Sequence, residues 1–173
     1  MVAESGLAKS AAGGAPTALS ADGAGILAGL VGGGTLALWF LVLDTLGGRP
    51  LYTPTVLGTA LFRGTAGVDV PGTLPISGEF VILFTFVHLL VFFFIGWIAS
   101  RLLVLARANP NLGFGILLLF VVFEFGFIAF AVTFAQPVLQ ALTWPAILVG
   151  NLLAAAAMTW TLWYSHPHFT ILP

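Results

Sequence analysis

Glu124 stands in the middle of a run, Leu112 to Ala135, that carries no other charge. A carboxylate at mid-membrane depth costs at least ~2.5 kcal/mol on insertion scales. Such a group is either kept protonated as a hydrogen-bond donor or placed in a wet cavity where it carries protons or coordinates a cation. His88 and Asn151 are the other groups with chemistry inside apolar runs, beside the hydroxyls of Thr85, Ser100 and Thr133. If helices turn near residues 108 and 140, a rise of ~1.5 Å per residue puts His88 and Asn151 at one depth and Glu124 ~7 Å nearer the cytoplasm. Helical side chains lean toward their own N-terminus, which draws Glu124 further from His88. His88 and Asn151 are therefore the matched pair. The plain role for His88 is a ring satisfied by Asn151, Thr133 or a backbone carbonyl, and for Glu124 a neutral, hydrogen-bonded acid.

Other chemistry is poorly supplied. The chain has no cysteine, hence no disulfide, thiolate metal site or thioether haem attachment. A haem held between spans wants two histidines at one depth, but His166 and His168 follow the last apolar run whereas His88 falls in the outer half of its own. Two imidazoles in His-Pro-His without a nearby acid are a poor metal set. No nucleophile–base pattern or phosphate-binding glycine loop is present. The expectation is no cofactor and no metal, and a net charge of −1 argues against nucleic acid as a partner. Asp44 and Arg49, at the end of the first apolar run, are expected to pair and anchor the loop that follows.

The elements that must carry these residues are membrane spans. Only 6% of residues are charged and mean hydropathy is +1.12, whereas a soluble domain has about a quarter of its residues charged. Four segments reach the ~20 apolar residues needed to cross hydrocarbon as a helix: 23–46, 80–105, 112–135 and 144–163. They lack the alternation of barrel strands, and a lipid-exposed backbone must satisfy its own hydrogen bonds. The predicted fold is all-α, an antiparallel bundle of four transmembrane helices with short connections between the last three and a short interfacial helix in the first loop. Residues 1–22, rich in Ala, Gly and Ser, read as a disordered tail. The first run is too long for a signal-peptide core and ends in Asp44, so a retained span is expected. Residues 166–173 form a short C-terminal tail. Arg101 and Arg107 flank the tight second connection and Lys9 precedes the first span, which favours cytoplasmic termini in a bacterial inner membrane.

The first loop, 47–79, is too apolar for a free linker. Thr53 and Pro54 read as N-cap and first turn and Gly64 as a stop, giving a helix over about 54–63 that lies in the membrane interface with Arg63 near its end. Ser77 can cap the second span, with Glu79 at its positive end. Gly25, Gly29 and Gly33 recur every four residues along the first span and strip one face of side chains, so a neighbouring backbone can approach. That neighbour is either another span or a second copy of the chain. Gly96 with Ser100, and Gly150 with Ala154, repeat the small-residue spacing. Most of the tryptophans fall toward span ends, where amphipathic rings prefer to sit.

The run Ala37 to Asp44, the loop Gly48 to Gly58, His88, and Phe123 with Glu124 resemble a set of bacterial four-span membrane proteins that have no assigned activity. The resemblance extends over most of residues 25–165 and implies the fold and a membrane location. On function, the residues favour a non-enzymatic membrane protein that acts through helix packing, as an accessory or scaffold element or a small homo-oligomer. Its partners would be the lipid bilayer and a second copy or a larger membrane complex. A transporter or proton/cation pathway through Glu124, His88 and Asn151, and a quinone- or haem-binding redox subunit, are the competing classes.

Overall fold

The computed structural model describes residues 20–64, 74–109 and 143–165. The predicted span over 112–135, with Glu124 and Thr133, lies outside them, as do residues 1–19 and the C-terminal tail. The described residues are helical apart from caps and connections: α1 (Ala21–Leu46), α2 (Tyr52–Arg63), α3 (Gly78–Ala108) and α4 (Trp144–Ser165). Three of these, α1, α3 and α4, are long and apolar enough to cross a membrane. At ~1.5 Å per residue, the 26 residues of α1 make ~39 Å, more than the ~30 Å of hydrocarbon.

Element boundaries follow the caps. Ser20 accepts a bond from the Gly23 amide at 3.2 Å, so α1 begins two residues before the expected start and takes Asp22 into its first turn. Ser77 caps α3 through the Phe80 amide, with Glu79 in the first turn. Gly64, at φ 81°, ends α2 after Arg63, since glycine takes a left-handed φ without a Cβ clash. The start of α2 differs from expectation: it begins at Tyr52, with Leu51 as N-cap and Thr53 and Pro54 inside the first turn.

Helix α1 is the hub. It runs antiparallel to α3, because Gly25 lies against Gly96 and Ser100 while Gly33 lies against Phe92 and Leu89. It runs antiparallel to α4 as well, since Gly32 meets Met158 while Leu36 and Trp39 meet Gly150. Thus α3 and α4 are parallel to each other, with the end of α3 and the start of α4 at opposite ends of α1.

The packed interior is made of very small residues: Ala24, Gly25, Ala28, Gly29, Gly32 and Gly33 of α1, Gly96 and Ser100 of α3, Gly150 and Ala154 of α4. Large side chains such as Leu38, Ile82, Phe86 and Leu152 point outward. That distribution suits lipid, where apolar side chains gain little by burial and helices associate through close backbone packing. A Cβ on Gly25 would fall 2.5 Å from the Ser100 Cβ and 2.7 Å from the Gly96 carbonyl oxygen; one on Gly29 would run into the Phe92 carbonyl. The carbonyl of Phe92 belongs to a helix backbone and cannot step aside as a side-chain tip can. Overpacking of this kind costs ~1–3 kcal/mol. Gly29→Leu should therefore lower the thermal stability of the detergent-solubilised protein, whereas Gly34→Leu, one residue round from the Gly33 contact with nothing within 4 Å of its Cβ position, should leave it unchanged. Equal melting of the two variants would refute the α1–α3 contact.

Candidate functional site

Among the described residues the one buried carboxylate is Asp44, 8% exposed in the last turn of α1. A carboxylate there sits at the negative end of its own helix. It is held because both oxygens serve α2: Oδ2 accepts from the Thr53 amide and Oδ1 from the Thr53 hydroxyl, each at 2.7 Å. Asp44 thus caps α2 from a different helix. This explains how α2 starts without a side-chain cap of its own at Leu51, whose φ of 67° is left-handed. That conformation costs a residue with a Cβ ~1–2 kcal/mol. It directs the Leu51 carbonyl to accept from the Thr55 amide at 3.3 Å and the Thr55 hydroxyl at 2.8 Å.

Arg49 completes the junction. Its amide donates to the Asp44 carbonyl at 2.9 Å. Its guanidinium donates to the Leu74 carbonyl and lies 4.2 Å from the centre of the Tyr52 ring. The residue expected to anchor the start of the loop therefore also ties the far side of that loop, while the Asp44 carboxylate is directed to Thr53.

Helix α2 is inside-out by the standard of a soluble protein. Its buried residues are Thr53, Thr55, Val56, Gly58 and Thr59, and Leu51, Leu61 and Phe62 are exposed. The threonines bury without unmet polar atoms, since Thr59 donates to the Thr55 carbonyl at 2.8 Å and Thr55 also receives the Ser77 amide at 3.4 Å. Gly58 lets α2 close on α3, where a Cβ would fall 2.6 Å from the Phe80 carbonyl oxygen, and Arg63 lies over the Phe80 ring at 4.8 Å.

Of the intramembrane candidates, His88 has its Nε2 3.1 Å from the Gly33 carbonyl. A carbonyl only accepts, so Nε2 carries the proton. The ring sits between those of Phe84 and Phe92, one turn away on either side, tilted to both. Asn151 is exposed on α4 and has no hydrogen-bond partner among the described residues. His88 and Asn151 are thus not brought together, and Glu124 lies outside the described residues. Threonine hydroxyls in the spans bond back within their own helix, Thr35 to Val31 and Thr85 to Val81 among them. Among the described residues no group of three or more His, Cys, Asp or Glu could hold a metal.

At the opposite end of α1, Asp22 joins α1 to α3. The Arg101 Nε and Nη2 meet its two oxygens at 2.6 and 2.7 Å, and the Trp97 indole donates to it at 3.0 Å. The Ser100 hydroxyl donates to the Ala21 carbonyl beside it. Sequence reasoning left Asp22 in the tail; its position two residues after a serine able to cap a helix was the available signal.

No family model matches this chain, and neither does any curated protein or solved structure. The class of protein is defined by the fold itself: the described residues are all-helical, with three helices long and apolar enough to cross a membrane and a fourth packed against α1 and α3. Asp44→Ala should destabilise it by ~1–3 kcal/mol, because it leaves the buried Thr53 amide and hydroxyl unmet. Asp44→Asn, which keeps one acceptor oxygen, should lose less. Denaturation followed by circular dichroism would rank the two, and equal stability of Asp44→Ala and wild type would contradict the cap.

Proposed function

We propose that this chain is a non-enzymatic integral membrane protein of a bacterial inner membrane that acts through helix packing, as an accessory or scaffold element. Its partner is a larger membrane complex or a second copy. The observation that carries this reading is how the polar and small residues are used. The glycine face of α1 is occupied by α3 and α4 of the same chain, and the His88 ring is held by the Gly33 carbonyl. What remains outward is the broad apolar surface of α3 and α4, to which a membrane partner can dock.

A four-span antiparallel bundle goes with this proposal. The parallel course of α3 and α4, with the end of α3 and the start of α4 at opposite ends of α1, supports the proposed span over 112–135. The start of α1 and the end of α4 share one end with Arg101, which supports cytoplasmic termini. A fluorescent protein fused to the C-terminus should then be bright and an alkaline phosphatase fusion inactive; the reverse pattern would overturn the orientation.

A second reading, a proton or cation pathway, draws on Asn151, whose amide is exposed in an apolar helix without a described partner and could contribute to such a route with Glu124. Glu124→Gln keeps shape and hydrogen bonding while abolishing titration. On the scaffold reading this variant folds and supports the cellular role as well as wild type. It also co-purifies with the same partner from native membranes in mild detergent. A stable Glu124→Gln variant that loses function would transfer the assignment to transport, and a monodisperse monomer without a partner would remove the scaffold.

A further inference from the structure

Where α2 ends and α3 begins, a cavity of about 360 Å³ is lined by Arg63, the last residue of α2, and by Glu79, in the first turn of α3. These opposite charges share one space without forming an ion pair; among the described residues the ion pair of the fold is Arg101 with Asp22, near the other end of α3. We propose that this cavity binds a zwitterionic phosphoethanolamine headgroup, its phosphate on Arg63 and its primary ammonium on Glu79, in a lipid drawn from the leaflet that meets the start of α3. The proposal goes beyond the scaffold reading and rests on the membrane location.

Charge selects a ligand that carries both signs. A phosphate alone is disfavoured by Glu79 and a cation alone by Arg63, so each residue rejects what the other attracts. The Arg63 guanidinium is positioned 4.8 Å from the centre of the Phe80 ring, and among the described residues nothing accepts from its five N–H donors. The Ser77 hydroxyl also lines the cavity; it accepts from the Phe80 amide and keeps its own proton for a phosphate oxygen. The Glu79 carboxylate is exposed and accepts from no described residue. The cavity at the end of α1 makes a useful contrast. It too is lined by an acid and a base, but Asp44 is spent on Thr53 and Arg49 on the Leu74 carbonyl.

Position selects a lipid. Ligand cavities usually span ~300–1,000 Å³, so this one is at the small end and suits a headgroup rather than a nucleotide or a folded peptide. Glu79 is followed directly by the apolar run of α3, which puts the cavity at the level where hydrocarbon gives way to headgroups. Ile82, Leu83 and Phe86 follow Glu79 on its own face of the helix, three, four and seven residues on, and all three are exposed. That face is the path for the acyl chains of a lipid whose headgroup sits between Arg63 and Glu79.

The test is native mass spectrometry of the full chain in mild detergent, with phosphatidylethanolamine, phosphatidylglycerol or free phosphoethanolamine added. Carbonate extraction of native membranes is done first: release of the chain would overturn the membrane location, whereas failure of the site alone shows in a chain that resists extraction. Wild type should retain one phosphatidylethanolamine about tenfold more strongly than phosphatidylglycerol, which has the phosphate but no ammonium; tenfold is the effect of one charge-assisted contact. Glu79→Gln, at an exposed position, should weaken phosphatidylethanolamine about tenfold and leave phosphatidylglycerol no weaker, so that the preference disappears. Arg63→Gln should weaken phosphatidylethanolamine as much. Equal retention of the two lipids by wild type would overturn the proposal, as would an unchanged preference in Glu79→Gln. Displacement of the lipid by free phosphoethanolamine would overturn the lipid source and assign the site to a soluble zwitterion.

Discussion

Helix α1 touches two neighbours at backbone distance because it presents almost no side chains to them. Ala24, Gly25, Ala28, Gly29, Gly32 and Gly33 occupy the width of two faces. Gly25, Gly29 and Gly33 turn to α3 and Gly32 to α4. In water such a seam would contribute little, since it buries few methylenes. In lipid the balance differs. Outward leucines and phenylalanines are as well solvated by acyl chains as by one another, so dispersion between close backbones decides the association. The polar contacts between α1 and α3 depend on that closeness. His88 reaches the Gly33 carbonyl, Ser100 reaches Ala21, and the Asp22 carboxylate meets Arg101 and Trp97 only with α1 and α3 in contact.

The two ends of the seam are fastened in different ways. At the Asp22 end the fastening is a forked ion pair with both partners about half exposed, 58% for Arg101 and 41% for Asp22. Pairs of that kind contribute under about 1 kcal/mol in water, so this one sets register more than it adds stability. At the Asp44 end the bonds are buried and fix a whole element, because α2 has no other side-chain cap. Helix α2 is then tied to α3 through Thr55, Gly58 and Arg63, and closes the bundle end as a strap between α1 and α3.

Much of this was legible in the residues. Apolar length foretold α1, α3 and α4, serine and glycine punctuation foretold the start of α3 and the end of α2, and the four-residue glycine spacing foretold a face without side chains. Which neighbour meets that face was not legible, because glycine spacing says that a backbone approaches and not whose. The partner of Asp44 was also hidden. Arg49 is close in sequence and opposite in charge, but the carboxylate goes to Thr53, nine residues on, because Leu51 adopts a left-handed turn that no rule of composition foretells. Likewise α2 was expected as an apolar helix of the first loop, yet its inward face is made mostly of threonines, with Val56 among them. A helix tied inward through polar bonds, with Leu61 and Phe62 left exposed, reverses the usual sense of inside.

The central claim, that the glycine seam packs α1 against α3 within one chain, is tested most directly by proximity in the membrane. The chain has no cysteine, so introduced pairs report without background. Asp22→Cys with Arg101→Cys, treated in native membranes with a short bifunctional thiol reagent, should give an intramolecular link that migrates as monomer. Asp22→Cys with Trp144→Cys, at opposite ends of the bundle, should give none. A dimer as the main product of the first pair, or a link of equal yield in the second, would contradict the account.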